Sequence, residues 1–344
     1  MVIIMQAGAP EAEVEAVIQA VEKAGFRPFV NPGVERKVIA LLGKMDAEKA
    51  ELVDHFSALP GVERVQLISE PYKLASRRSH PEPSLVEVGP VTIGGTQLAV
   101  IAGPCSVENR DQMVDTAIAV RNAGANLLRG GAFKPRTSPY SFQGLGVEGL
   151  EILAEARRIT GLPIVTEVLH PGDLDAISQY ADVIQIGARN MQNFRLLQDV
   201  GTAGKPVILK RNPGCRVRDL LMASEYIMLE GNTNVVLCER GITTFEDATR
   251  YTMDVNAIPV IKRLSHLPVI ADPSHAAGDW RYVSAIALSA IAAGADGIMV
   301  EVHLDPSMAL SDGPQSLRPD KFSELMRAAA QVAAAVGREV VLPG

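Results

Sequence analysis

Aromatic side chains are scarce in this sequence: 4% of 344 residues, with a single Trp, while the small and branched apolar types are plentiful. That balance favours parallel strands covered by helices over a sandwich of ring-rich strands. Cysteine is also sparse. Cys105, Cys215 and Cys238 are widely spaced, with no Cys-x-x-Cys pair, which argues against a disulfide framework and fits a reducing cytoplasm. There is no excess of positive charge either. A formal net charge of −7 provides no global field to attract nucleic acid, so any phosphate chemistry has to come from a local basic pocket. Long apolar runs are missing as well. The most apolar stretch, Ala285–Ala295, is broken by Asp296 before it could span a bilayer, and the apolar start Met1–Met5 turns polar at Gln6 without the features of a signal peptide. The expectation is a cytoplasmic protein with small-molecule substrates and neither nucleic-acid nor membrane partners.

What is present is a regular alternation of strand and helix patterns. Val2–Met5 reads as a strand and Glu11–Ala24 as a helix with Val14, Val17, Ile18 and Val21 on one face. Arg27–Val30 and Arg36–Leu42 read as a hairpin across Asn31-Pro32-Gly33, followed by a helix over Glu48–Leu59 and a strand over Val62–Ile68. This βαββαβ order predicts a ferredoxin-like domain over residues 1–70. Residues 71–84 are polar and Pro-containing, without apolar period, and read as a linker.

Residues 85–344 begin with a short hairpin, Val86–Val88 and Val91–Ile93. Eight apolar runs follow: Leu98–Ala102, Asn126–Arg129, Ile164–Glu167, Val183–Ile186, Val207–Lys210, Val235–Glu239, Val269–Ala271 and Gly297–Glu301. Amphipathic helices separate them, among them Asp111–Ala123, Gly149–Thr160, Arg218–Glu230 and Trp280–Ala293. Eight such units in about 250 residues fit a closed (β/α)₈ barrel. The competing doubly wound sheet lacks a Gly-x-Gly-x-x-Gly after the first of these strands.

In such a barrel the active site lies at the C-terminal ends of the strands. Two groups of residues fall there. Arg129, Lys134, Arg136, Arg189, Lys210 and Arg240 would repel one another unless anions sat between them, and guanidinium forks suit phosphate and carboxylate. One such cation alone would read as a surface ion pair. Cys105, His275, Glu301 and Asp312 come from the first, seventh and eighth strands, which closure makes neighbours. Thiolate, imidazole and carboxylate together suit a borderline divalent metal such as Mn²⁺, Fe²⁺, Co²⁺ or Zn²⁺. His303 could replace Glu301 in that set. Cys238, inside Val235-Val236-Leu237, reads as core.

Several runs carry a resemblance: Ala102-Gly103-Pro104-Cys105-Ser106, Lys134-Pro135-Arg136-Thr137-Ser138-Pro139-Tyr140, Ile186-Gly187-Ala188-Arg189-Asn190, Cys238-Glu239-Arg240-Gly241, Asp272-Pro273-Ser274-His275 and Leu310-Ser311-Asp312-Gly313-Pro314-Gln315. On these the chain resembles the 3-deoxy-D-arabino-heptulosonate 7-phosphate (DAHP) synthases, in the subclass with an N-terminal ferredoxin-like regulatory domain. The resemblance implies a transferase of the shikimate pathway that condenses phosphoenolpyruvate with erythrose 4-phosphate. It implies metal ligation by Cys105, His275, Glu301 and Asp312. Arg129, Lys134, Arg189, Lys210 and Arg240 match the phosphoenolpyruvate contacts, with Arg189 and Arg240 on the phosphate. Lys134, Pro135, Arg136 and Thr137 match the erythrose 4-phosphate segment, with Lys134 between both substrates. Glu167 and His275 both stand as candidates for activating the attacking water. The resemblance further implies a homo-oligomer, a tetramer, with tyrosine or phenylalanine as effector.

Two departures accompany it. Asn212-Pro213-Gly214-Cys215 follows Lys210-Arg211 where a Gly is usual, and Thr243 stands where an Arg is frequent. A related synthase that uses arabinose 5-phosphate to make an octulosonate shares the barrel, but typically has Lys-Ala-Asn-Arg in place of Lys134-Pro135-Arg136-Thr137. A non-catalytic sensor of phosphorylated metabolites would need the cations but not the metal-capable set.

Overall fold

The computed structural model describes residues 1–31, 36–42, 49–67, 71–135 and 138–340. The chain divides into two compact units, residues 1–83 with 263–266, and residues 84–262 with 267–344.

The first unit contains β1 (Val2–Met5), α1 (Glu11–Lys23), β2 (Arg27–Asn31), β3 (Val38–Leu42), α2 (Lys49–Ser57) and β4 (Val62–Gln66). Its antiparallel sheet has the order β2-β3-β1-β4, the ferredoxin-like arrangement that the element order predicts. Val14, Val17 and Val21 recur at helical spacing on α1 and pack with Ile3, Met5, Ile39, Leu41 and Phe56. The expected turn at Pro32-Gly33 and the expected helix start at Glu48 lie outside the described residues.

Residues 71–84, polar as they read, include a packed segment. Tyr72, Leu74, Ala75, Ser76 and Ser79 are buried. Arg77 N donates to Leu264 O at 2.9 Å, and His266 Nε2 meets Leu74 O at 2.6 Å. The composition hid this because the partners are residues 264–266, far along the chain.

The second unit opens with the hairpin β5 (Val86–Val88) and β6 (Val91–Ile93). The barrel strands are β7 (Ala99–Gly103), β8 (Leu127–Arg129), β9 (Ile164–Val168), β10 (Val183–Ile186), β11 (Val207–Lys210), β12 (Val235–Glu239), β13 (Val269–Ala271) and β14 (Gly297–Glu301). They close into one barrel, every neighbouring pair parallel, with β14 returning to β7. The helices between and after them are α3 (Arg110–Ala123), α4 (Val147–Thr160), α5 (Leu174–Tyr180), α6 (Phe194–Thr202), α7 (Val217–Leu229), α8 (Ala257–Leu264), α9 (Pro273–Ala277), α10 (Trp280–Ala292) and α11 (Pro319–Ala335). Their ends obey local chemistry: Asn109 caps α3 by accepting from Gln112 N, and Gly124 ends it at φ +106°.

One apolar cluster explains why the site lies where it does. Val86, Val88, Val91 and Ile93 of the hairpin pack with inward residues of all eight strands, including Ala99, Leu127, Val183, Ile208, Val236 and Ile270. Gly89 and Gly94 approach Pro163 and Pro268, which precede β9 and β13. The hairpin therefore plugs the N-terminal end of the barrel, leaving the C-terminal end for chemistry. No described helix is long and apolar enough to cross a membrane.

Candidate active site

The strand ends converge on a cavity of about 360 Å³, whose lining includes Arg129, Lys134, Glu167, Arg189, Lys210, Arg240, His275 and Asp312. Pro135 also lines it, and its carbonyl accepts from Arg189 Nη1 at 3.0 Å. Arg136 and Thr137 lie outside the described residues, so of the aldose segment the structure places Lys134 and Pro135.

Backbone close to the site is set by glycine. A Cβ on Gly103 would stand 2.2 Å from Arg129 O, so only glycine lets the end of β7 approach β8 this closely. Beyond the strands the two loops continue to pair, Gly131 N donating to Cys105 O and Val107 N to Gly131 O. This brings Lys134 Nζ within 3.0 Å of both Cys105 O and Cys105 Sγ.

Cys105, Glu301 and Asp312 offer ligand atoms that all lie within 4.8 Å of one another. Cys105 Sγ is 3.2 Å from Asp312 Oδ2. His275 Nε2 stands 3.5 Å from Glu301 Oε1 and 4.0 Å from Asp312 Oδ2. Glu301 Oε1 is buried without a hydrogen bond. Asp312 adopts φ +49°, the one positive-φ non-glycine conformation among the described residues, and such strain is characteristic of functional sites. A mixed sulfur, nitrogen and oxygen set of this kind fits a borderline divalent cation. His303 stands apart: Nε2 faces Glu108 Oε2 at 3.5 Å and Nδ1 accepts from Asp305 N.

The protonation states agree with that fit. Burial pushes His275 down, toward the neutral form that can ligate, with Asp272 and Glu301 offsetting it only in part. Burial would raise Asp312 and Glu301, yet the facing His275 and neighbouring cations leave both below their ordinary values. Burial, reinforced by Glu301, pushes the Cys105 thiol up to about 12, so a bound ion would have to displace its proton. Asp272 holds His275 in place: Oδ1 accepts from His275 N at 3.0 Å and Oδ2 lies 2.8 Å from Nδ1, off the line of a good hydrogen bond. The same Oδ2 accepts from Lys210 Nζ at 2.5 Å. A carboxylate behind a ligating imidazole is the usual device for aiming its other nitrogen.

The cationic side is left unsatisfied. Arg129 Nη2 is 3.0 Å from Glu301 Oε1, but among the described residues its buried Nε and Nη1 have no hydrogen-bond partner. Arg240 is 4.4 Å above the Tyr251 ring, and its buried Nη1 is likewise free. Each such donor costs about 1–3 kcal/mol when left unpaired, a cost an anionic ligand removes. Arg211, next to Lys210, turns away and binds Glu239 and Asp254 at 2.7 and 2.8 Å. Glu167 faces the cavity and accepts from Gln185 Nε2 at 3.2 Å.

The residue-type reading missed Asp272, Gln185, Arg250, Tyr251 and Gln315. Gln185, a polar residue within the apolar run of β10, was the one with a visible signal. The Asn212-Pro213 departure does reach the cavity: both residues line it, and Asn212 Nδ2 donates to Ala188 O at 3.1 Å. Nothing in the structure accounts for Thr243.

Comparison with known proteins agrees with this architecture. Residues 77–338 match the DAHP synthetase I family, and residues 1–70 match the DAHP synthase ferredoxin-like domain. Phospho-2-dehydro-3-deoxyheptonate aldolase of Thermotoga maritima is 46% identical over 340 residues, covering 99% of this chain and 100% of that protein. A crystal structure of the Thermotoga maritima phospho-2-dehydro-3-deoxyheptonate aldolase (DAHP synthase) superposes with a TM-score of 0.78 at 45% identity, covering 99% and 98% of the two chains. A truncated form of the 3-deoxy-D-arabino-heptulosonate 7-phosphate synthase from the same organism covers 78% of this chain and 99% of its own, with a TM-score of 0.74 and 47% identity. Over the barrel, 2-dehydro-3-deoxyphosphooctonate aldolase of Syntrophobacter fumaroxidans is 36% identical across 253 residues, 68% of this chain and 87% of that protein. The chain belongs to the DAHP synthetase I family, as a transferase-type enzyme whose ferredoxin-like domain precedes a (β/α)₈ barrel.

Proposed function

We propose that the enzyme condenses phosphoenolpyruvate with erythrose 4-phosphate and water, giving DAHP and inorganic phosphate, with a divalent metal held by Cys105, His275, Glu301 and Asp312. One observation carries this reading: buried guanidinium groups whose donors have no partner among the described residues, Arg129 and Arg240, share a cavity with His275 and Asp312 of the metal-capable set. Anion recognition alone would need the first group and not the second.

Arg189 and Arg240 hold the phosphate of phosphoenolpyruvate, while Arg129, Lys134 and Lys210 complete its site. Lys134 stands between this site and the aldose, whose phosphate end falls to Arg136 and Thr137. Fixing both substrates removes much of the entropic cost of the encounter. The chemistry a bound Mn²⁺, Fe²⁺, Co²⁺ or Zn²⁺ supplies in this donor set is polarisation of the aldehyde carbonyl. Carbon 3 of phosphoenolpyruvate attacks that carbonyl, and the new alkoxide takes a proton. Water adds at carbon 2, giving its proton to Glu167, which Gln185 orients; His275, with Nε2 toward the metal set and Nδ1 toward Asp272, has no nitrogen left to act as the base. Phosphate then leaves with carbon–oxygen cleavage as the added hydroxyl loses its remaining proton and becomes the carbonyl at carbon 2. The two protons of the water thereby replace the one taken by the alkoxide and supply the one carried off by the phosphate.

The metabolic place is the first step of the shikimate pathway, in the cytoplasm. Residues 1–70 serve as a regulatory domain for tyrosine or phenylalanine in a homo-oligomer, a tetramer.

The test is phosphate release from phosphoenolpyruvate with each acceptor, with and without metal. Erythrose 4-phosphate is expected to have the higher kcat/KM. A higher value for arabinose 5-phosphate would instead assign the octulosonate reaction, and full turnover after complete metal removal would end the metal role.

A further inference from the structure

We infer that Arg250 is a positioning residue for the metal-binding carboxylates, acting on Asp312 directly and on Glu301 through Gln315. This rests on the metal reading proposed above and concerns what holds its donors in place.

The two oxygens of Glu301 are treated differently. Oε2 accepts from Gln315 Nε2 at 2.7 Å, leaving Oε1 turned toward His275 Nε2 at 3.5 Å and the Arg129 guanidinium at 3.0 Å. A carboxamide can present either its NH₂ or its oxygen after a half-turn, so Gln315 alone does not settle which faces Glu301. Arg250 does. Its Nη1 donates to Gln315 Oε1 at 3.1 Å. A guanidinium can only donate, so the amide oxygen must face Arg250 and the NH₂ must face Glu301. Without Arg250 a flipped amide would set oxygen against oxygen at Glu301.

The same Nη1 lies 3.7 Å from Asp312 Oδ1, while Oδ2 faces Cys105 Sγ and His275 Nε2. Arg250 thus takes the outer oxygen and leaves the inner one to the donor cluster. Its own backbone is fixed, N donating to Ala277 O at 3.0 Å at the end of α9, the helix that carries His275. A Cβ on Gly278 would come 2.6 Å from Arg250 Cβ, so the chain there closes tightly around it.

The bland alternative is a half-exposed ion pair with Asp312 that contributes little. The two readings differ in sign. If Arg250 acted only as a charge, removing it would tighten binding of a divalent cation. If it positions the carboxylates, removing it weakens binding although a repelling charge is gone.

The experiment is a Co²⁺ titration of the full chain, followed by the thiolate-to-cobalt absorption of Cys105, with apo-protein melting as the control for folding. Arg250→Gln and Gln315→Met are each expected to weaken Co²⁺ binding by about 10–100-fold. Arg250→Lys, which keeps a donor-only cation opposite the Gln315 amide oxygen, is expected to bind Co²⁺ more tightly than Arg250→Gln. The Arg250→Gln/Gln315→Met double variant is expected to bind about as well as the weaker single variant, because the two act in series. Unchanged or tighter binding in Arg250→Gln, which alters a half-exposed side chain, overturns the inference while leaving the metal site intact. Absence of Co²⁺ binding to the unaltered chain removes the metal reading, and the inference with it.

Discussion

The Glu167 carboxylate occupies the space that a side chain at Gly187 would need: a Cβ there would lie 2.0 Å from Glu167 Oε1. Gly187 has φ −67°, which any residue tolerates, so the requirement for glycine is steric and comes from Glu167. Gly187→Ala is therefore expected to displace the carboxylate while barely disturbing the backbone. A misplacement of this size costs on the order of 100-fold in turnover. Steady-state kinetics beside thermal melting check it; unimpaired kcat/KM in Gly187→Ala would remove Glu167 from the reaction.

Two buried cysteines should respond differently to the same change. Cys105 lies among the metal-capable groups, whereas Cys238 is packed with Val236, Ile208 and Ile270 inside the barrel. Cys105→Ala is expected to abolish stoichiometric metal uptake. Cys238→Ala is expected to retain the metal and lose about 1–2 kcal/mol of stability through the small void it leaves. Elemental analysis of both variants decides, and equal metal content would undo the distinction.

His266 makes stability depend on pH. It is buried, stacked on His80 at 4.3 Å, with Nε2 against Leu74 O. Burial pulls its pKa down to about 3 from an ordinary 6.5. The unfolded chain therefore takes up this proton near pH 6.5, and the folded chain does so only near pH 3. The contribution is complete above pH 6.5 and falls as pH drops through that window, by up to about 1.4 kcal/mol per pH unit. His266→Gln should flatten the acid limb of a denaturation series; an unaltered slope would show that His266 does not set it.

The proposed control by tyrosine or phenylalanine rests with residues 1–70, and the packing of residues 72–80 dictates where to cut. A truncation that begins at Pro71 keeps Leu74 and His80 beside His266. The truncated chain is expected to turn over without inhibition by tyrosine or phenylalanine, whereas the full chain is inhibited. Inhibition that survives truncation, or a full chain indifferent to both, would place control elsewhere.

The strands of the barrel were legible to within a residue or two because each is a short apolar run bounded by Gly, Pro or charge. The hairpin Val86–Ile93 was legible for the same reason. The ends of those runs also supplied candidate site residues: Cys105, Arg129, Lys210, Arg240 and Glu301 follow from where strands stop and from the rule that barrel chemistry gathers there. These are local properties, carried by side-chain period and turn chemistry over a few residues.

What only the tertiary structure decided is which of those residues face one another. Lys210 and Arg211 adjoin in sequence, yet one turns to Asp272 at the cavity and the other to Glu239 and Asp254. Glu301 and His303 share strand parity, but β14 ends at Glu301, and past that point parity no longer says which way a side chain turns. Arg250 and Gln315 are 65 positions apart. Closing eight strands into a barrel makes neighbours of residues whose separation along the chain carries no signal. Contacts of that kind therefore depend on the closure itself and not on any local pattern of residues.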